Sequence, residues 1–148
     1  MSTTTPAFGA QILGQTEKAL NAILDRQLAG TGLTEPDWIT LTLTAASGGA
    51  LGRDQLASQV AGALKVSPAT AQARIDGLAA ARLVQTGGGD EPQVTLTDAG
   101  QQLQARIRGA VTQITERMWG DLPAGDLVTA GRVLSVVLAR ANAELAAA

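Results

Sequence analysis

The sequence predicts a mainly α fold, six helices with a two-stranded β-hairpin between the fourth and the fifth. Three observations predict it. Apolar residues recur at helical spacing through most of the 148 residues. Ser, Thr, Pro and Gly punctuate the chain where helices should start and stop. One stretch, Leu83 to Thr97, switches to alternating β-formers around a Gly- and Pro-rich loop.

The first helix is carried by Phe8, Ile12, Leu13, Leu20, Ile23, Leu24 and Leu28, and Gly30-Thr31-Gly32 ends it. Thr34-Glu35-Pro36-Asp37 reads as a new start, a Thr N-cap with Pro in the first turn and an acid three residues after the cap. Trp38, Leu41 and Ala45 continue this second helix until Ser47-Gly48-Gly49. A third runs from about Arg53 to Leu64 on the stripe Leu56, Val60, Leu64, and Lys65-Val66 turns the chain. Ser67-Pro68 opens a fourth helix by the same capping logic, with Ala71, Ile75 and Leu78 inward and an end near Ala81. Leu83–Thr86 and Gln93–Thr97 then make the hairpin. Thr97-Asp98 caps a fifth helix bearing Leu103, Ile107, Val111, Ile114 and Met118; Leu122-Pro123 opens a sixth bearing Leu127, Val133, Leu134, Val137, Leu138 and Leu145. No repeat and no linker interrupts the order, so residues 1–148 read as a single domain.

Composition limits the chemistry. Hydrophobic residues make up 45% and charged residues 16%, an ordinary globular balance. Aromatics are 2% (Phe8, Trp38, Trp119), so the core must be Leu, Ile, Val and Ala. There is no Cys, His or Tyr. Ser-His-Asp and Cys-His catalysis are thereby excluded, along with thiol redox chemistry and most transition-metal sites. Carboxylates remain, but no pair stands apart from the solvated helix faces. The expectation is a protein that is not an enzyme and holds no metal or cofactor. The N-terminal residues lack a basic region leading into an apolar run, and no apolar run reaches the ~18 residues that span a bilayer. A cytoplasmic protein without a membrane partner is expected.

Two short helices, a tight turn, a Ser-Pro-started helix and a hairpin are the order of a winged helix-turn-helix. Leu56-Ala57, then Val66-Ser67-Pro68-Ala69-Thr70, Asp76-Gly77-Leu78, Leu83-Val84 and Val94-Thr95-Leu96-Thr97-Asp98-Ala99-Gly100 resemble the multiple antibiotic resistance regulator (MarR) family. Gly32-Leu33-Thr34 with Trp38, and Leu122-Pro123-Ala124-Gly125-Asp126-Leu127, resemble its frame. The likeness covers almost the whole chain. It implies a DNA-binding transcriptional regulator that meets a pseudo-palindromic operator as a homodimer. A winged lobe at about 34–99 is flanked by dimerisation helices at about 6–30 and 98–146. It also implies a small aromatic or anionic ligand as effector, with Trp38 and Trp119 as candidate pocket residues, although Trp at helical spacing also serves as plain core. The dimer contact falls to Phe8, Ile12, Leu20, Val133, Leu134, Val137 and Leu138, whose apolar surface exceeds what a small monomer leaves exposed.

On this reading the fourth helix enters the major groove. Its outward positions include Ala69, Thr70, Gln72 and Ala73. Gln72 suits adenine, and Thr70 suits a base edge or a thymine methyl. Ser67 sits at the N-cap, where a phosphate is favoured, although it caps the helix with or without DNA. Arg74, Arg53 and Lys65 border the groove, Arg74 serving equally as an ion-pair partner. Gly88, Gly89 and Gln93 belong to the wing. The departures from the family are basic residues. Ala73 and Gly77 stand where cations are usual, and the wing reads Gly88-Gly89-Asp90-Glu91-Pro92-Gln93, without the Arg that usually follows the acid. From Arg53 to Asp98 four cations face five acids, and the whole chain has a net charge of −2. Phosphate neutralisation supplies much of the affinity for duplex DNA, so the expected grip is weak. The alternative is a regulator-like scaffold that has lost operator reading and works as a ligand-binding or protein-interaction module.

Overall fold

The structure, a computed structural model, describes residues 5–48, 51–87 and 92–147. Among them the elements run α1 (Ala10–Leu28), α2 (Glu35–Ser47), α3 (Arg53–Leu64), α4 (Pro68–Ala80), β1 (Val84–Thr86), β2 (Val94–Leu96), α5 (Asp98–Trp119) and α6 (Ala124–Ala146). The expected order holds. The first helix begins at Ala10 rather than Phe8, and Leu83, Gln93 and Thr97 fall just outside the strands.

Local chemistry accounts for the boundaries. The Asp37 carboxylate accepts from the Thr34 N–H and hydroxyl, both at 3.0 Å, closing the predicted start of α2. Gly48 ends that helix at φ 60, a left-handed conformation that glycine adopts without a Cβ penalty. Ser67 Oγ accepts from the Thr70 N–H at 3.1 Å, and Pro68 occupies the first turn of α4. Thr97 Oγ1 accepts from the Gly100 N–H at 3.0 Å at the head of α5 and donates to the Arg82 carbonyl at 2.7 Å.

The chain divides into two compact units, Met1–Val111 and Thr112–Ala148, with the boundary inside α5. The first unit contains the whole winged lobe. Leu41 of α2, Leu56, Ala57 and Val60 of α3, Ala71, Ile75 and Leu78 of α4, and Val84 and Val94 of the hairpin form one buried cluster. β1 and β2 pair antiparallel in the register Val84↔Leu96, Gln85↔Thr95, Thr86↔Val94. The sheet is anchored further. Gly52 pairs with Gln93, and the Arg53 N–H donates to the Pro92 carbonyl at 2.8 Å, tying the start of α3 to the wing base.

Two features of the core were not read from the pattern. Thr40 and Thr44 of α2 are buried, each hydroxyl returning to the carbonyl four residues back, at 2.9 and 2.8 Å. On α5 the buried face is Gly100, Gln104 and Ile107; Leu103, Val111, Ile114 and Met118 are half-buried.

In the second unit no residue of α6 is buried. Leu127, Leu134, Leu138, Ala141 and Leu145 recur on it at one heptad step followed by steps of four, three and four residues, as in a helix seam. Among the described residues no single helix is long and apolar enough to cross a membrane.

Candidate nucleic-acid interface

The helix-turn-helix places α4 outermost. Ala71, Ile75 and Leu78 are 0–1% exposed and seat it on α2 and α3. Pro68, Ala69, Thr70, Ala73, Asp76 and Gly77 face solvent, and Gln72 and Arg74 are half-buried. The outward surface at the head of the helix is therefore small and weakly polar.

Ser67 and Thr70 hold each other. The Ser67 hydroxyl lies 3.0 Å from Thr70 Oγ1 and accepts the Thr70 N–H. Both hydroxyls keep an exposed side, so capping and an outside contact are compatible. Ala69 and Ala73 offer only methyl groups.

Gln72 is engaged at both ends of its amide. Its Oε1 accepts from Arg53 Nε at 2.6 Å, and its Nε2 donates to Asp54 Oδ1 at 3.1 Å. Arg53 also reaches the Gln72 carbonyl at 3.3 Å and Asp76 Oδ1 at 2.5 Å. The bidentate amide geometry that adenine requires is thus occupied by α3 residues, and the Arg53 charge is partly met by Asp76. Arg74 turns the other way, its Nη1 3.7 Å from Asp37 Oδ1 of α2. It lines a cleft of about 330 Å³ together with Glu17 and Glu35. Lys65 takes a left-handed φ of 58 after α3 and donates to the Gly62 carbonyl at 2.8 Å.

The wing tip, including Gly88 and Gly89, lies outside the described residues. Gln93 is spent on the sheet through its backbone, pairing with Gly52 and accepting from the Gly87 N–H at 2.8 Å, while its side chain is exposed. The Arg53–Gln72–Asp54–Asp76 network links residues far apart in sequence, and only the outward placement of Gln72 hinted at it.

The remaining candidates are dispersed. Trp38 is half-buried against the lobe core, whereas Trp119 is 40% exposed. Phe8, Leu134 and Leu138 are 59%, 43% and 58% exposed, and Ile12, Leu20, Val133 and Val137 are half-buried.

No known protein-family profile matches the chain, and no curated protein matches it. Solved structures do. CouR from Rhodococcus jostii RHA1, solved with p-coumaroyl-CoA, superposes at a TM-score of 0.74 with 16% identity over 86% of this chain and 89% of that one. A MarR-family transcriptional regulator from Silicibacter pomeroyi gives 0.70 with 23% identity over 87% and 86%. A MarR-family protein of Mycobacterium tuberculosis, solved with p-aminosalicylic acid, gives 0.63 with 23% identity over 88% and 98%. The chain has the MarR-like winged-helix fold.

Proposed function

We propose that this chain is a DNA-binding transcriptional regulator that acts in the cytoplasm as a homodimer and responds to a small ligand. One observation carries the reading: α4 is held by its buried face on a winged lobe and turns its other face to solvent, the arrangement that lets a helix lie in a major groove. Fold neighbours that are MarR-family transcriptional regulators support it, and two further neighbours were solved with small molecules. Regulation rather than catalysis also suits a chain without Cys or His. Contact at the groove falls to Ser67, Ala69, Thr70 and Ala73 directly. Gln72 and Arg53 would join only by exchanging their present partners. The exposed apolar residues of α6 support a second copy as partner.

The second reading, a scaffold with weakened DNA binding, is favoured by the carboxylates that hold Arg53 and Arg74. Titrating the protein with duplexes from around its own gene at ~50 and ~200 mM salt separates the two, because phosphate attraction is strongest at low salt. A preferred sequence at ~50 mM, with a shallow salt slope, is the expected result. Equal affinity for all duplexes there refutes operator reading and leaves the scaffold.

A further inference from the structure

Ala69, Thr70 and Ala73 form a triangle on the first turns of α4, at the three- and four-residue spacings that make neighbours on a helix surface, and all three are exposed. What this face can recognise follows from which polar groups beside it are free. Each base offers the major groove a different edge. Guanine shows two acceptors and calls for a cation. Adenine calls for an amide that makes two bonds, and the cytosine amino group calls for a carboxylate. Thymine adds a 5-methyl group, which needs only an apolar surface.

The groups that would answer the first three bases are engaged within the lobe. Each cation of α3, α4 and the turn between them has a partner: Arg53 holds Asp76 Oδ1 at 2.5 Å, Arg74 faces Asp37 Oδ1 at 3.7 Å, and Lys65 donates to the Gly62 carbonyl at 2.8 Å. The Gln72 amide is taken at one end by Arg53 and at the other by Asp54. Those same bonds occupy the Asp54 and Asp76 carboxylates. The Thr70 hydroxyl lies 3.0 Å from Ser67 Oγ at the helix cap, which leaves the γ-methyl as the free branch of that side chain. Three methyl groups, on Ala69, Thr70 and Ala73, are what this face has to offer. No long side chain rises from the triangle to hold α4 away from the base edges.

We propose that α4 selects its operator by thymine 5-methyl groups, packed against Ala69, Thr70 and Ala73. The inference deepens the DNA-binding reading and rests on it. The preferred duplex carries T·A pairs where the head of α4 lies, and the Arg53–Gln72 network stays intact in the complex. Because 5-methylcytosine presents the same methyl in the same groove, cytosine methylation at those positions creates a contact that plain cytosine lacks.

Fluorescence anisotropy with the full-length protein tests this, using the duplex preferred at ~50 mM salt. Replacing thymine by deoxyuridine removes the methyl and keeps the base pair and its minor-groove edge. Affinity should fall about fourfold for each contacted methyl, and tenfold or more when every thymine is replaced. A C·G pair at a contacted position should bind at least threefold more tightly when its cytosine is 5-methylated. Thr70→Ser deletes one methyl and retains the hydroxyl that meets Ser67, so its thymine-over-uracil preference should drop about fourfold while its melting midpoint stays put. Equal affinity for the uracil duplex, no gain from 5-methylcytosine, or an unchanged preference in Thr70→Ser overturns the proposal. A preferred duplex that is indifferent to uracil overturns methyl selection and leaves operator reading standing. Equal affinity for all duplexes removes both.

Discussion

At the scale of single residues, backbone geometry decides more than side-chain chemistry. A Cβ placed on Gly100 would stand 2.0 Å from the Leu83 carbonyl oxygen, and both partners are backbone, so neither can rotate away. Gly100 therefore allows the first turn of α5 to close on the strand edge, where Leu83 O also accepts from the Thr97 N–H at 3.0 Å. Gly100→Ala should cost about 3 kcal/mol, in the upper range of overpacking, and lower the melting midpoint by roughly 10 °C. An unchanged midpoint would mean that helix and strand are not so closely apposed. Arg82 presents the opposite case. It holds a φ of 63 in the turn between α4 and β1, where an L side chain is strained and glycine is not. Arg82→Gly should stabilise the lobe by about 0.5–1 kcal/mol in urea unfolding, the relief exceeding the extra freedom given to the unfolded chain. A loss of stability would show that the Arg82 side chain contributes more than its backbone strains.

At the scale of elements, α4 is defined by what its neighbours take from it. α3 supplies Arg53 and Asp54 to Gln72, α4 itself supplies Asp76 to Arg53, and α2 supplies Asp37 to Arg74. These partly exposed pairs add little stability, roughly 0–1 kcal/mol each, but they occupy groups that phosphate or base would need. Replacing Asp54 and Asp76 with Asn should strengthen binding to duplex DNA and steepen the log–log salt dependence by about one, the contribution of one freed cation. Fluorescence anisotropy across a salt series reads both, and an unchanged slope would place Arg53 away from the DNA. The same elements show what the sequence could reveal. Thr34 with Asp37 and Ser67 with Thr70 act within one helical turn, so the starts of α2 and α4 were legible from residue order alone. Arg53 with Gln72 and Gly52 with Gln93 join different elements, and nothing local announces such pairs. The burial of Thr40, Thr44 and Gln104 was hidden for a related reason, since a polar residue on a core face satisfies no periodicity rule.

At the scale of the whole molecule, the question is what covers α6. A 23-residue helix without one buried residue cannot owe its stability to the packing seen within a single chain. Val128, Leu134, Val136, Leu138 and Leu145 of α6 are between 42% and 71% exposed. Burying one Leu side chain stabilises by about 1.5–3 kcal/mol, so several together outweigh the entropy of association when a second copy supplies the cover. The aliphatic spacing on α6 suits a helical partner, and two-fold pairing would present two α4 helices to one duplex, as a pseudo-palindromic operator requires. Sedimentation should therefore give twice the 15.0 kDa chain mass for the wild type. Leu134→Glu or Leu138→Glu places a charge in the contact, which no apolar partner can solvate, and should yield monomer or insoluble chain. Leu134→Met keeps the volume and apolar character and should remain dimeric, separating loss of the contact from general damage to the helix. A wild-type chain that stays monomeric and soluble at high concentration would leave α6 uncovered, and with it would fall the paired geometry on which operator reading depends.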